Sequence, residues 1–402
     1  MKILIPLFSP PTGSWGSLTR ILAIGETAKT MGHEIAFCAS GYLADRLIKN
    51  GYKVYLTPES TMFGLPKFIS KLIEARSQNN SIPVKPGKSI GNIWFVLMIT
   101  GMTKFKFLEK LVKAELAAVE DFHPDLLFTE IDPGAFMLSN ITGVPISCTY
   151  ASIMKIGIGT FAYKKLFNSM NKILKNYGKN QFDLVELFQG NKTLKIIPSI
   201  PELEESIPST PDYIFSGSLL QSFRTPDDQL YTVEKGKRYI FVYAGTGSIT
   251  QNKLSHVLPE LFPKDSDTIC LVGGSQCVEK EKRIGNVIFR PFFDAESIMP
   301  HCDWVICHGG HNTIIQALIN RVPLIIFPGP IFERRFNARM VHKSGAGIFG
   351  ELPDFNTIWL KKIIDNREPY ANKAKELGEK ILSYNGAETA IKAMEIFCSK
   401  KK

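Results

Sequence analysis

The residues best suited to chemistry lie between an apolar run and a helical pattern in the C-terminal half of the chain. The apolar run covers residues 304–307, and His-Gly-Gly-His-Asn-Thr follows at 308–313. Glycines let a backbone approach an anion, and a helix N-terminus offers free N–H groups at the positive end of the helix dipole. Asn312 and Thr313 add donors, and His308 can donate to a diphosphate oxygen. The pattern predicts a diphosphate cradle, with a tight turn around a buried histidine as the structural alternative.

The elements that would position this cradle occur in both halves of the chain. An apolar run at 2–8 leads through a glycine turn and a helical pattern to a second run at 35–39. The run at 239–243 leads in the same way, through Ala-Gly-Thr-Gly-Ser and a helical pattern, to the run at 268–272. Strand, glycine turn, helix and strand form a βαβ unit, and continuous apolar strands indicate a parallel sheet covered on both faces. We therefore expect an α/β protein with a doubly wound sheet in each half.

The chain is long enough for two domains, because its 402 residues exceed the usual size of one. Proline and serine are frequent around residues 198–211, and residues 221–237 are polar throughout. We predict an N-terminal domain at 1–215, a linker at 216–236, a second domain at 237–385, and a C-terminal helix with a basic tail at 386–402.

Composition argues against several classes of protein. Hydrophobic residues make up 44% and charged residues 21% of the sequence, the usual mixture for a soluble globular chain. The longest apolar stretch, residues 93–101, is far shorter than the ~20 residues of a membrane span, and the N-terminus resembles a first strand more than a signal peptide. Seven scattered cysteines without a CxxC motif indicate a reducing compartment. We expect a cytoplasmic protein.

The net charge of +10 comes from 48 lysines and arginines against 38 acidic residues. A surplus of this size suits an anionic ligand or an anionic membrane surface, or has no specific partner. No nucleic-acid-binding motif accompanies the charge, so we expect no nucleic-acid partner. Peripheral contact with the inner face of a membrane stays open.

A longer stretch, residues 290–347, resembles the donor-binding signature of nucleotide-sugar glycosyltransferases with the GT-B fold. Besides the cradle, the matching motifs are Arg-Pro-Phe at 290–292, Ala-Leu-Ile-Asn-Arg-Val-Pro at 317–323 and Asn-Ala at 337–338. The resemblance is strongest to family 1, the UDP-glycosyltransferases and the bacterial macrolide- and antibiotic-type enzymes. Weaker matches in the N-terminal half are the spacing from Gly16 to Gly-His-Glu at 32–34 and Pro-Asp-Leu at 124–126.

The resemblance implies two Rossmann-like domains that face each other across a cleft. The C-terminal domain would bind a nucleoside diphosphate sugar, with uridine as the expected nucleoside, and the N-terminal domain a small-molecule, natural-product or lipid acceptor. Transfer would invert the anomeric carbon and need no metal and no cofactor besides the donor. The expected acceptor-binding residues are Trp15, Gly16 and Trp94, although Trp94 also fits a core helix. The expected donor-binding residues are Gly245, Thr246, Ser248, Arg290, Phe292, His308, Gly309, Gly310, Asn312, Thr313, Gln316, Glu333 and Arg334.

The chain departs from the family pattern at several positions. Ser17 stands where family members usually have a catalytic histidine, and Gln316 where they have a ribose-binding glutamate. The pair Glu333 and Arg334 stands where they have a sugar-contacting Asp-Gln pair. Glutamine can bind a ribose hydroxyl without charge assistance, whereas arginine cannot accept a hydrogen bond. Arg334 therefore suggests a carboxylated or otherwise unusual sugar, or a charge partner for phosphate or for Glu130.

The missing histidine leaves the role of catalytic base to a carboxylate. Glu130 and Asp132 follow the apolar run at 126–129, at the carboxyl end of a predicted strand, where open α/β sheets bind their ligands. A carboxylate whose pKa is raised by desolvation can accept the proton of an acceptor hydroxyl. We expect Glu130 or Asp132 to be the base, with Ser17 as a relay or positioning group. Alternatively, Glu130 caps the helix that begins near Gly134.

Two other functions fit the same sequence. A related enzyme could hydrolyse or epimerise the nucleotide sugar, and a non-catalytic partner could bind it without turnover. The absent histidine and the residues at 316 and 334 are what would be expected of the non-catalytic alternative. Asp-Ser-Asp at 265–267 mimics a metal-binding motif but belongs to a predicted surface turn, so we expect no metal site.

Overall fold

The computed structural model describes residues 1–10, 15–79, 87–181, 192–220, 230–243, 245, 248–274 and 280–400. These residues divide into two compact units. Unit 1 comprises the described residues of Met1–Asn79, Gly91–Gln221 and Tyr384–Lys402. Unit 2 comprises the described residues of Asn80–Ile90 and Ser222–Ser383.

Unit 1 is built around a seven-stranded sheet. Its strands are β1 (Lys2–Pro6), β2 (Glu34–Ala39), β3 (Lys53–Leu56), β4 (Leu126–Thr129), β5 (Ile146–Thr149), β6 (Thr193–Ile197) and β7 (Tyr213–Phe215). Its helices are α1 (Trp15–Thr30), α2 (Gly41–Lys49), α3 (Lys67–Asn79), α4 (Ile93–Ile99), α5 (Phe105–Phe122), α6 (Pro133–Thr142), α7 (Phe161–Asn176) and α14 (Gly386–Ser399). The strand order is β3-β2-β1-β4-β5-β6-β7, and all neighbouring pairs are parallel.

Unit 2 repeats this plan with a second seven-stranded sheet. Its strands are β8 (Arg238–Tyr243), β9 (Thr268–Gly273), β10 (Lys282–Ile284), β11 (Val287–Arg290), β12 (Cys302–Cys307), β13 (Leu324–Ile326) and β14 (Gly347–Phe349). Its helices are α8 (Gln251–Leu261), α9 (Ala295–Ile298), α10 (His311–Ile319), α11 (Phe332–Ser344), α12 (Thr357–Asp365) and α13 (Glu368–Ser383). The order is β10-β11-β9-β8-β12-β13-β14, and only the edge pair of β10 with β11 is antiparallel.

Hydrophobic pattern explains why these segments form these elements. All four residues of β4 and of β5 are buried, as expected for parallel strands covered on both faces. Helix α5 instead buries one stripe at three- and four-residue spacing, which runs from Leu108 through Val112 and Glu115 to Phe122. The doubly wound α/β sheet predicted for each half is therefore confirmed.

The C-terminal helix lies in unit 1, a placement that sequence analysis did not predict. Ala390, Ile391 and Met394 of α14 are fully buried in the cluster that covers one face of the unit 1 sheet. The described residues up to Leu220 also belong to unit 1, whereas residues 87–90 belong to unit 2. Each unit is therefore built from separate segments of the chain, whereas sequence analysis predicted one continuous segment for each domain. None of the helices in the described ranges is long and apolar enough to cross a membrane.

Candidate functional site

Each sheet has one point where the strand order reverses. In unit 1, β1 lies between β2 and β4, and in unit 2, β8 lies between β9 and β12. Connections that leave two such neighbours pass to opposite faces, which opens a crevice at the carboxyl ends of the strands. Leu7 and Glu130 follow the two strands in unit 1, and Gly245 and His308 follow them in unit 2. These two crevices are the candidate sites.

The unit 2 crevice contains the predicted diphosphate cradle. Strand β12 ends at Cys307, and α10 begins after Gly310, which lies at the N-cap and provides no side chain to bond the first helical N–H groups. Gly309 has a φ of +86°, and an added Cβ would lie 2.9 Å from the carbonyl oxygen of Arg334. Only glycine fits there, because both the conformation and the contact exclude a side chain. The N-terminus of α10 therefore has the geometry of an anion site.

His308 is enclosed by two further glycines. A Cβ added at Gly245 would lie 2.6 Å from Nδ1 of His308, and one added at Gly310 would lie 2.8 Å from Nε2. Nδ1 is 3.5 Å from the carbonyl oxygen of Tyr243, so a proton on Nδ1 points at that oxygen and leaves Nε2 as an acceptor. Burial and the charge of Arg334 lower the pKa of His308 to about 3. The imidazole is therefore neutral at pH 7.

Arg334, in the first turn of α11, brings a permanent positive charge to the cradle. Its charge lowers the pKa of His308 and also acts on the Cys307 thiol, so the guanidinium lies within electrostatic reach of the end of β12. Burial lowers the pKa of Arg334, while Glu333 acts in the opposite direction. Arginine stays protonated in proteins despite such shifts. The half-buried Arg334 thus carries the positive charge of the cradle, whereas Glu333 is exposed.

Asn337 forms a hydrogen bond to the backbone of the cradle, a role that sequence analysis did not assign. Its Nδ2 donates to the carbonyl oxygen of Gly309 at 3.0 Å. Asn337 lies one turn after Arg334 on α11, so both side chains can reach the same loop from one helix face. The Asn-Ala motif at 337–338 was the available signal, although it gave no partner for the amide.

Helix α10 carries the candidates for the nucleoside. Thr313 and Gln316 are half-buried and three residues apart, and therefore share one helix face. Asn312 is half-buried in the first turn. These positions are compatible with contacts to phosphate and ribose.

Other donor candidates are engaged within the protein. The buried Ser248 donates to the carbonyl oxygen of Phe327, and Arg290 donates from Nε to Glu281 at 2.6 Å. Phe292, two residues after Arg290 at the end of β11, is 54% exposed. Thr246 lies outside the described residues.

The unit 1 crevice is a small, mostly apolar pocket that contains both Ser17 and Glu130. Its cavity volume is about 10 Å³, which is roughly room for one water molecule. The structure therefore brings together two predicted catalytic residues that are distant in the chain. The remaining lining residues are Leu7, Phe8, Leu18, Ile21, Leu43 and Ile131.

Arg20 is the partner of Glu130, which sequence analysis missed. Its Nε donates to Oε1 of Glu130 at 2.6 Å, and a second guanidinium nitrogen contacts the same oxygen. Glu130 is 4% exposed, and its Oε2 has no hydrogen-bond partner among the described residues. Arg20 lies three residues after Ser17 on α1, a spacing that places both on one helix face and was the available signal. Oε2 is the oxygen that can accept a proton from a ligand.

Asp132 has a structural role that sequence analysis did not assign to it, and its role as a candidate base stays a prediction. It is fully buried, and its Oδ1 accepts a hydrogen bond from the N–H of Gly134 at 2.6 Å as the N-cap of α6. Asp132, and not Glu130, therefore caps this helix. Burial raises the pKa of Asp132 to about 6 and that of its neighbour Glu115 well above the usual value. For Glu115 the charge of Asp132 raises the pKa further, in the same direction as burial.

Of the predicted acceptor residues, Trp94 lies in the protein core. Trp94 is 3% exposed and packs edge-on against Tyr163, with ring centroids 5.1 Å apart, in the core of unit 1. The core-helix alternative for Trp94 is therefore correct. Gly16 is half-buried at the start of α1, and the Trp15 side chain lies outside the described residues.

Metal-binding geometry is absent from the part of the chain that the structure describes, where no group of three or more His, Cys, Asp or Glu side chains could hold an ion. The unit 2 crevice instead presents N–H donors and a guanidinium. This chemistry suits anions.

Residues 240–393 match the family model of the glycosyltransferase family 28 C-terminal domain. A UDP-glucosyltransferase of Bacillus subtilis, YojK, is 24% identical over 57% of each chain, so this match spans little more than half the length of that relative. A glycosyltransferase of Methanosarcina acetivorans is 23% identical over 96% of each chain.

Solved structures resemble the chain over nearly its whole length. The calicheamicin glycosyltransferase CalG4 has a TM-score of 0.72 at 16% identity and covers 99% of this chain and 98% of its own. The spinosyn rhamnosyltransferase SpnG, solved with thymidine diphosphate, has a TM-score of 0.66 at 15% identity and covers 98% and 100%. The expected GT-B fold is confirmed.

Proposed function

Because the chain is a glycosyltransferase of the GT-B class, we propose that it transfers a sugar from a uridine-type nucleoside diphosphate to an acceptor hydroxyl. The acceptor class is a small molecule, natural product or lipid. The observation that carries the proposal is the cradle at the end of β12. There, Gly309 and Gly310 expose the N-terminus of α10 beside the permanent charge of Arg334.

The cradle would act on the leaving group. When the bond between the sugar and the diphosphate breaks, negative charge develops on the diphosphate. The α10 N–H groups and Arg334 stabilise that charge more in the transition state than in the ground state, which is the condition for catalysis. A guanidinium beside His308 is better placed for a phosphate than for a distant sugar carboxylate, so we assign Arg334 to the diphosphate. With this charge in place, the reaction needs no metal.

Glu130 would act on the acceptor. Oε2 of Glu130 takes the proton of the acceptor hydroxyl, the hydroxyl oxygen attacks the anomeric carbon, and the nucleoside diphosphate leaves with the bonding electrons. Direct displacement of this kind inverts the anomeric centre. Arg20 holds Oε1, which orients the carboxylate, and Ser17 in the same pocket positions the hydroxyl.

The uridine assignment is supported by likeness alone. A Bacillus relative bears the name of a UDP-glucosyltransferase, whereas a structural neighbour was solved with thymidine diphosphate. Both nucleosides are pyrimidines, so the comparison of uridine diphosphate (UDP) with thymidine diphosphate is part of the test.

Calorimetric titration of UDP into the parent protein and two variants tests the proposal. If the bound diphosphate draws a proton onto Nε2 of His308, His308→Ala should weaken UDP binding by about 1.5–3 kcal/mol, the scale of a lost hydrogen bond to a charged group. Arg334→Gln should weaken it by a similar amount. Arg339→Gln is the matched control, because Arg339 is exposed on the same helix, α11. Failure of the parent to bind either nucleotide, or equal affinity in all variants, would overturn the assignment of the cradle.

A nucleotide-sugar hydrolase is the second candidate, and one observation favours it. The pocket beside Glu130 has room for about one water molecule, and a water held there could be activated in place of an acceptor. Product analysis separates the candidates: a glycoconjugate indicates transfer, free sugar with nucleotide indicates hydrolysis, and binding without turnover indicates a non-catalytic partner.

A further inference from the structure

Residues 87–90 lie in unit 2 although the helices that flank them along the chain, α3 and α4, lie in unit 1. We call these four residues the strap. The flanking residue Asn92 caps α4, where its side chain accepts a hydrogen bond from the N–H of Phe95 at 2.9 Å.

The strap forms main-chain hydrogen bonds with the loop between β13 and α11. The N–H of Ile90 donates to the carbonyl oxygen of Pro330 at 2.7 Å, and the N–H of Phe332 donates to the carbonyl oxygen of Ile90 at 3.2 Å. Ile90 and Ile331 form a parallel β-bridge. These bonds fix the residues that immediately precede Glu333 and Arg334.

Glu351 joins the strap and this loop from a second side. Its carboxylate accepts two hydrogen bonds from Arg335, one from Nη1 at 3.0 Å, and a backbone hydrogen bond from Gly87. Nη1 of Arg335 also donates to the carbonyl oxygen of Gly329 at 3.1 Å. Arg335 is 6% exposed, so this ion pair is held in place by burial as well as by paired hydrogen bonds. The strap, the loop and the start of α11 therefore form one hydrogen-bonded unit.

We propose that the strap is a positioning element for Arg334. It contacts no substrate itself. It sets the loop at 329–332, and the loop sets the first turn of α11, in which the N–H of Arg335 donates to the carbonyl oxygen of Ile331 at 3.0 Å. Arg334 in that turn supplies the charge that the cradle offers to a diphosphate, so the inference rests on the proposed function.

The variant Ile90→Pro tests the strap directly. Proline removes the N–H that bonds Pro330 but keeps the carbonyl that accepts from Phe332, and its fixed φ is compatible with extended backbone. Ile90→Val keeps the N–H, and Ser89→Pro places the same ring at an exposed position without a described hydrogen bond. These two variants are the controls, and thermal unfolding of the full chain checks that each variant is folded.

The readout is UDP affinity in a double-mutant cycle with Arg334→Gln. We expect Ile90→Pro to weaken UDP binding by about 2- to 10-fold, the range for one lost hydrogen bond, and the controls to bind as the parent does. In the Arg334→Gln background the effect should fall below about twofold, because two residues that act through one contact are not additive. A general structural defect would weaken binding equally in both backgrounds and would overturn the inference.

Glu351→Gln is the second variant, for use if Ile90→Pro unfolds. It keeps the shape of the side chain but removes the charge that pairs with Arg335, so it should show the same loss of UDP affinity and the same dependence on Arg334. Parental affinity in a folded Ile90→Pro or Glu351→Gln variant would overturn the role of the strap alone. Absence of UDP binding in the parent would overturn the proposed function itself.

Discussion

The two crevices have the same topology and opposite chemistry. Each lies at the carboxyl ends of the central strands, where the strand order of the sheet reverses. In unit 2 the crevice is made of backbone, with glycines around His308 and the N-terminus of α10. In unit 1 it is made of side chains, with the ion pair of Glu130 and Arg20 in an apolar pocket.

This difference decides which substitutions should matter in each crevice. A site built from backbone is disrupted by adding atoms, because a new Cβ occupies the place of the ligand or displaces its neighbours. A site built from one carboxylate is disrupted by changing a single charge and tolerates changes in its apolar wall better.

The substitution Glu130→Gln should reduce turnover by about 10²–10⁴-fold, the range that general-base catalysis supplies. UDP affinity should stay at the parental value, since the cradle lies in unit 2. Steady-state kinetics with a sugar donor and calorimetry with UDP measure the two effects. Parental turnover would mean that the acceptor brings its own base, and loss of UDP affinity would contradict the separation of roles.

The substitution Gly310→Ala should weaken UDP binding by about 10- to 100-fold, as expected when hydrogen bonds to a charged ligand are lost. The added Cβ would lie 2.8 Å from Nε2 of His308, so the ring or the loop must move. Gly25→Ala is the control, because a Cβ there would meet only ordinary contacts, the nearest at 3.4 Å from Phe37. Unchanged affinity in a folded Gly310→Ala variant would show that the loop does not hold the diphosphate.

UDP binding should strengthen as the pH falls, by at most about tenfold per pH unit, if the diphosphate draws a proton onto Nε2 of His308. The pKa of His308 is about 3 beside the charge of Arg334, and a bound anion next to the ring raises that pKa, so binding takes up a proton. Calorimetry in buffers of different ionisation enthalpy measures this uptake. The comparison protein is the His308→Ala variant. Its proton uptake on binding should be limited to the protons that UDP itself takes up. Equal proton uptake in both proteins would contradict the role of His308.

The smallest effect on activity is expected at Asp132, two residues from Glu130. Asparagine is as good an N-cap as aspartate, so Asp132→Asn should keep α6 and change turnover by less than about threefold. Burial raises the pKa of Asp132 to about 6, so between about pH 4 and 6 the folded protein binds more protons than the unfolded chain. The stability of the parent protein therefore falls as the pH rises through that range. The variant should lose part of this pH dependence in thermal unfolding. A large loss of turnover without a loss of stability would support Asp132 as the base.

The geometry of the unit 2 crevice could be predicted from the sequence more fully than that of the unit 1 crevice. Gly309, Gly310 and the start of α10 are adjacent in the chain, so a local motif contains most of that geometry. Glu130 and Arg20 are 110 positions apart, and no local pattern indicates that the two side chains meet. The choice between Glu130 and Asp132 depended on which of them caps α6, a matter of backbone direction that residue types alone do not determine.

Long-range packing also accounts for the elements that the sequence did not predict. Trp94 lies on a short apolar helix whose composition suits a core and a ligand wall equally, and its burial against Tyr163 decides between them. The short strands β5, β6 and β7 have four, five and three residues, too few for a periodic pattern. Both the position of α14 in unit 1 and the bonds of Ile90 depend on contacts far away in sequence.

The most direct test of the central claim is a crystal structure of the protein grown with UDP. The account predicts that the diphosphate oxygens lie within about 3 Å of backbone N–H groups at the start of α10, with the Arg334 guanidinium on the same phosphates. The unit 1 pocket around Glu130 and Ser17 should contain no part of the nucleotide. A nucleotide bound in the unit 1 pocket, or bound in unit 2 away from His308 and Arg334, would contradict the account.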